Sequence, residues 1–275
     1  MTRIDAHLHV WRAATGETPG VRTIIPPQTD VPIELASETM IDHQIDRSVL
    51  VQPVFRGEDN SYVASCASAE PARFAAVAVV DPRTPGAEQR LEQWVAKGCR
   101  GLRLRPRIAD EEALFGDPAT FPLWEAAERL GVVVSLLSGP DHVAKIDRLA
   151  QRFPQVSVVI DHLGHPSISA GTADAKFQAL LGLARHERVY LKLSGLYHFS
   201  SERFPFRDCV PLVQAIYEHF GPRRLLWGSD FPHVLLACGY ARSRQWIETV
   251  LDNLKPSERD LVMGSNALRL YWPAD

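Results

Sequence analysis

Apolar positions along this chain fall into two alternating rhythms. Short β-branched runs, apolar at nearly every position as in Val132-Val133-Val134-Ser135-Leu136-Leu137, recur at 4–10, 48–54, 74–80, 99–105, 132–137, 156–161, 189–194 and 224–229. Between them lie amphipathic stretches that predict helices over 33–45, 59–70, 86–97, 120–130, 141–153, 173–184, 208–220 and 240–253. Strands with no polar alternation are buried on both faces, which is the pattern of a parallel sheet covered by helices. Eight βα units in 275 residues predict an α/β fold of the closed (β/α)8 or TIM-barrel kind, as one domain over 1–275. An open doubly wound sheet is the alternative. It usually carries a glycine-rich first βα turn, whereas the first strand here ends in His7-Leu8-His9.

Two irregular stretches, 11–32 and 199–207, follow strand ends on the face where barrels build their sites. They are candidate lids, the first stiffened by Pro19, Pro26, Pro27 and Pro32. Composition adds exclusions. With 45% hydrophobic and 23% charged residues the chain is neither disordered nor fibrous. A net charge of -3 gives no global attraction to nucleic acid or an anionic membrane, and no apolar run reaches the roughly 18 residues of a span. Cys66, Cys99, Cys209 and Cys238 are widely spaced, as in a reduced intracellular protein. The first strand begins at Ile4, so a cytoplasmic location is expected. The expected partner is a small-molecule substrate, and a homo-oligomer is left open.

Candidate chemistry gathers at strand ends. His7 and His9 lie two apart on the first strand and share a face, with Leu8 on the other. His162 ends the sixth run, and His165 follows in the loop, where a solvated histidine is the simpler reading. Asp230 stands at the end of the eighth run, beside the first strand once a barrel closes; an N-cap role is its simpler reading. Together His7, His9, His162 and Asp230 suit one divalent ion, zinc or manganese. The same set also works without metal, with Asp230 as general base toward water.

The His-x-His on strand one, the Asp161-His162-Leu163-Gly164 on strand six, Lys192-Leu193-Ser194-Gly195 on strand seven and Gly228-Ser229-Asp230-Phe231-Pro232 on strand eight resemble the amidohydrolase superfamily. Within it they resemble the amidohydrolase-2 branch of lactonases, of the pyrone-dicarboxylate hydrolase and L-fuconolactonase types. The closing Gly264-Ser265-Asn266-Ala267-Leu268-Arg269-Leu270-Tyr271 is similar to that branch's C-terminal signature, and the match spans residues 4–271. The resemblance implies a (β/α)8 hydrolase that opens a cyclic ester, with His7, His9, His162 and Asp230 at its catalytic positions. The aspartate is expected to take a proton from the attacking water and pass it to the leaving oxygen. Some members hold one divalent ion and others none. Binuclear relatives carry a carboxylated lysine on strand four, where this chain has Arg103 and Arg105, against a binuclear centre.

Arg103 and Arg105 share the face opposite Leu102 and Leu104, so they are expected inside the barrel. Two buried guanidiniums need anions. A carboxylate-bearing substrate is one answer, with Arg103 its foremost contact; an internal pair, for instance Arg105 with Asp81 or Asp161, is the other. Lys192 also points inward, available to balance Asp5 or to meet an anion. Tyr197 and His198 are placed at the rim as substrate contacts, while Arg203 and Arg207 are of open role. Trp11, Phe55 and Phe231 lie just past strand ends, as an apolar wall or plain packing. The competing activity is a metal-dependent decarboxylase of an unsaturated or aromatic acid from a neighbouring branch. A non-catalytic binding protein is the third reading.

Overall fold

The eight apolar runs become eight parallel strands in the computed structural model, which describes residues 2–13, 24–112, 114–251 and 254–273. They are β1 (Ile4–Leu8), β2 (Arg47–Val51), β3 (Phe74–Val79), β4 (Cys99–Leu104), β5 (Val133–Leu136), β6 (Val158–Ile160), β7 (Val189–Leu193) and β8 (Leu225–Trp227), each beside the next. Past the end of β8 the sheet closes. Leu8 bridges Phe231 in parallel, Asp230 N–H donates to the His7 carbonyl at 2.8 Å, and His9 N–H donates to the Phe231 carbonyl at 2.7 Å. This is the expected TIM barrel. The helices Ile33–Asp42, Ser61–Ala69, Ala87–Ala96, Phe121–Leu130, Val143–Arg152, Ala175–Gly182, Val210–Phe220 and Tyr240–Val250 each lie inside a predicted range. No helix among the described residues is long and apolar enough to cross a membrane.

Side-chain alternation sorts the core into two shells. Leu50, Leu102, Val134, Ile160 and Leu191 point outward and pack under the helices. Ile4, Val49, Val77, Val133, Val159 and Leu226 fill the barrel's interior. The helix Asn266–Tyr271 plugs its lower end with Ala267 and Tyr271. Asn266 anchors that plug by donating to the Pro222 and Leu225 carbonyls at 2.7 and 2.8 Å.

Two local departures position the site. In β1, Asp5 is level with Ser48 and Leu8 with Leu50, so three steps oppose two. The extra residue reverses the alternation. Ile4 and Ala6 belong to the inner core, whereas Leu8 and Val10 belong to the outer one. His7 and His9 therefore do face inward, but Asp5 lies outside. It accepts hydrogen bonds from the Ser229 N–H and hydroxyl and from the Tyr240 hydroxyl, which fastens β1 to the segment after β8. The second departure is that β6 and β8 stop short of their predicted ends. His162, Leu163 and Asp230 have left-handed backbone, at φ 50°, 54° and 60°, which ends the ladder and turns these side chains over the mouth.

The base of the first long loop is tied by reciprocal Trp11–Val31 backbone bonds of 2.8 and 2.9 Å. Its segment 14–23, including Pro19, lies outside the described residues. In the second loop, Ser200 and Ser201 donate to the Asp208 carboxylate.

The C-terminal plug supplies a stability test. A Cβ on Gly264 would fall 1.9 Å from the Thr2 carbonyl oxygen, a backbone atom that cannot swing aside. Gly264→Ala is expected to cost about 2–4 kcal/mol by overpacking. Urea unfolding measures this, and a loss below about 0.5 kcal/mol would mean that the plug is not seated against β1.

Candidate active site

Closure of the barrel sets Asp230 above the first strand. Gly228 makes the approach possible: a Cβ there would meet the His7 Cβ at 2.7 Å. Asp230 then offers its two oxygens to two groups of side chains. Oδ1 lies 3.6 Å from His7 Nε2 and 3.4 Å from His9 Nε2, and those nitrogens are 3.2 Å apart. Oδ2 accepts from the Tyr197 hydroxyl at 2.6 Å and faces His198 Nε2 at 2.9 Å. Potential ligand atoms of His7, His9 and Asp230 all lie within 4.8 Å of one another, and so do those of His162, His198 and Asp230. The four expected residues do converge, as two triads that share the aspartate. Tyr197 and His198, expected as substrate contacts, bond the aspartate itself.

A buried charge network supports this cluster from below. Asp161 and Lys192 are wholly buried. Lys192 Nζ lies 3.0 Å from Asp161 Oδ1 and 3.2 Å from His7 Nδ1. Arg103 Nη2 lies 3.4 Å from Asp161 Oδ2, and its Nη1 donates to the Gln52 carbonyl at 3.1 Å. So Lys192 balances Asp161 rather than Asp5, because the β1 bulge carries Asp5 out of the barrel. Arg105 pairs with Glu111 and with the Val54 carbonyl; Asp81 is taken by Arg83. Arg203 and Arg207 are exposed.

Burial and charge fix the protonation states. Burial alone would raise the Asp230 pKa, but His162, His198 and His9 hold it well below the usual 3.8. Asp161 is likewise raised by burial and drawn well below 3.8 by Lys192, His7 and Arg103. Burial and then the Lys192 charge push His7 down to about 3. Burial lowers His162 well below 6.5, so both rings are neutral near pH 7. Tyr197 is pushed well above 10 by burial and by Asp230, and stays a donor. His9 Nδ1 donates to the Val51 carbonyl at 2.7 Å, which fixes the ring with Nε2 facing Asp230. His162 Nδ1 is fixed by Ser194 Oγ at 2.9 Å.

Several neighbours escape a reading by sequence. Ser194 was visible only as part of a motif. His233 stacks on Trp11 with ring centres 6.2 Å apart and lies 5.9 Å from His9, with Nδ1 buried and unpartnered. Phe55 meets Trp11 edge-on at 5.1 Å, and Trp11 and Phe231 are wholly buried in the outer core, which is the packing alternative. His165 is no solvated loop residue. Its Nδ1 donates to the Ser138 carbonyl at 3.2 Å, and its ring sits 5.3 Å from that of His162.

Residues 4–272 match the family model for amidohydrolases. The chain belongs to the amidohydrolase family. This amidohydrolase is 31% identical to the L-fucono-1,5-lactonase of Burkholderia ambifaria, over 98% of this chain and 95% of that protein. It is 30% identical to the 4-sulfomuconolactone hydrolase of Hydrogenophaga intermedia, over 97% and 88%. Among solved structures it superposes on an amidohydrolase from Burkholderia multivorans with bound HEPES at TM-score 0.86 and 25% identity, covering 98% and 99% of the two chains. A second crystal form of an amidohydrolase from that organism, with bound zinc, gives TM-score 0.84 and 26% identity over the same shares.

The buried histidines fix a pH dependence of stability. His7 and His165 are pushed down to about 3 and His233 to about 4, each chiefly by burial. Unfolded rings take protons from about pH 6.5, so below that pH the unfolded state binds more protons and stability falls. Asp161 and Asp230, held below 3.8 when folded, extend the loss at lower pH. The urea midpoint is expected to be level between about pH 8 and 7 and to drop by pH 5, by the equivalent of about 2–5 kcal/mol. A midpoint unchanged at pH 5 would contradict neutral buried rings.

Proposed function

We propose that this amidohydrolase hydrolyses a lactone, adding water to the cyclic ester carbonyl with Asp230 as the proton carrier. The observation that carries the reading is the Asp230 carboxylate itself, ionised, buried and ringed by His7, His9, His162, His198 and Tyr197. Relatives at 31% and 30% identity named for lactone hydrolysis support the same reaction class. The nearest chemistry in those names, a sugar lactone and a sulfonated lactone, agrees with a polar or anionic substrate.

A carboxylate so well stabilised is a weak base. Tyr197 and His198 both bond Oδ2, and a substrate oxygen that takes over either bond would leave Asp230 more basic at the moment water must be deprotonated. Oδ1 faces the gap between His7 and His9, where that water is proposed to sit. The proton taken there goes on to the ring oxygen that leaves. His162, fixed through Nδ1, presents its other nitrogen to the same space.

The residues also fit a divalent ion. Corners of a tetrahedron drawn with bonds of about 2.0–2.1 Å lie about 3.3–3.4 Å apart. The separations among His7 Nε2, His9 Nε2 and Asp230 Oδ1 are 3.2, 3.4 and 3.6 Å. These three would hold it, and zinc or manganese suits the donor set. When bound, such an ion polarises the ester carbonyl and acidifies water.

Two measurements test this reading. In a pH-stat screen of sugar-acid and pyrone-type lactones, Asp230→Asn is expected to lower kcat at least about 1000-fold while the protein still melts cooperatively. Unimpaired turnover would refute the role. Elemental analysis of protein purified without added ions, then chelation, is expected to remove metal and activity together if the His7–His9–Asp230 set works loaded. Full activity without metal would assign the aspartate alone.

A further inference from the structure

Two of the four arginines on β4 and its continuation are committed inside the barrel. Arg103 is held by Asp161 and the Gln52 carbonyl, and Arg105 by Glu111 and the Val54 carbonyl. Withdrawing Arg103 toward a ligand would strip a counter-charge from a fully buried carboxylate, which is costly. Arg107 is different. It has no hydrogen-bond or ion-pair partner for its guanidinium among the described residues. Its stem runs past Gly139, where a Cβ would lie 3.9 Å from Arg107 Cγ.

The residue before Gly139 is Ser138, whose hydroxyl is buried and also unpartnered. The Ser138 carbonyl is the acceptor for His165, and His165 touches both His162 and His198, with ring centres 5.3 and 6.2 Å away. An exposed arginine alone would be an ordinary solvated side chain. Here the stem of an arginine without a side-chain partner passes Gly139, next in the chain to a buried hydroxyl that lacks a partner, on the flank of the mouth that His165 shares with His162 and His198. The guanidinium charge reaches that flank, since after burial it is the largest influence lowering His165.

We infer that Arg107 and the Ser138 hydroxyl form the seat for a carboxylate or sulfonate group on the substrate, and that this seat sets the preference for anionic lactones. The inference rests on the lactonase reading for its substrate, and it goes beyond it in naming the residues that select for charge. Arginine's planar fork meets either oxyanion with two parallel N–H bonds, and Ser138 adds a third donor. Neutral His165, its Nδ1–H already given to Ser138, offers only the Nε2 lone pair, which suits a substrate hydroxyl rather than the anion.

The test compares wild type with R107M, R107K and S138A. The kcat/KM preference for a carboxylate-bearing lactone over an uncharged one is expected to fall about 10- to 100-fold in R107M, mainly through KM. R107K should recover part of it, and S138A should lose about 3- to 10-fold. An unchanged preference in R107M, or an equal loss on both lactones, would overturn the seat. Calorimetry with citrate as the anion probe gives a second readout that needs no turnover. Citrate should bind wild type in a salt-sensitive manner and weaken by a similar factor in R107M. Citrate binding that R107M leaves intact, or no citrate binding at all, would overturn the seat. Citrate loss in R107M with no lactone opened by wild type would keep the seat and sink the hydrolase reading instead.

Discussion

A carboxylate at the centre of a dry barrel has to be answered by charge, and the arrangement around Asp161 follows from that requirement. An isolated ion there would be prohibitive. Lys192 from β7 and Arg103 from β4 reach it from two sides, and His7 from β1 lies 3.4 Å from the same oxygen as Lys192. With Asp230 above, the interior holds these two cations against two carboxylates. The balance fixes where His7 can stand, and His7 in turn fixes the level of the mouth at which Asp230 and His9 meet. Lys192 and Arg103 are therefore part of the scaffold that aims the site, whatever they do for a ligand.

Much of this was legible in the sequence because burial writes itself into periodicity. Unbroken apolar runs gave parallel strands, and amphipathic stretches gave the helices between them. Alternation placed His7 and His9 on one face and Arg103 and Arg105 on another. Alternation fails where a single extra residue enters a strand, and composition does not mark that event. The bulge in β1 moved Asp5 outside, so Lys192 found Asp161 instead. The signal for Asp161 was present as a charge closing the apolar run Val158-Val159-Ile160, in a place where polar residues need a reason. The left-handed turns at His162 and Asp230 left no comparable trace, since neither residue is a glycine. Tyr197 and His198 were placed on the right rim, but a list of residues cannot say that their acceptor is the aspartate.

The geometry of the triad formed by His7, His9 and Asp230 suits more than one occupant. Three acceptor atoms at 3.2–3.6 Å suit a cation between them. They equally suit a proton held between the imidazoles and the carboxylate. Which arrangement holds depends on the tautomer of His7, whose Nδ1 faces both a donor, Lys192, and an acceptor, Asp161. Donation to Asp161 turns the Nε2 lone pair toward the mouth, where it can ligate. Acceptance from Lys192 turns the Nε2 hydrogen there, where it can only donate. The buried pair thus sets whether His7 turns a lone pair or a hydrogen toward the mouth.

Reaction and recognition occupy separable parts of this barrel, and the separation has a physical cause. Groups that handle protons must stay rigid and nearly dry, and they sit on strand ends cross-linked by Asp5, Gly228 and the Ser194–His162 bond. Groups that choose a substrate have to exchange water for ligand, so they belong where a polar atom remains unanswered. Arg107, Ser138 and the unpartnered nitrogen of His233 are such atoms, and they stand on opposite flanks of the mouth. One flank offers charge. The other holds His233, its ring stacked on the buried Trp11 that Phe55 meets edge-on. Between the two flanks lie His7, His9 and Asp230, so the rigid set is flanked by the atoms still free to meet a ligand.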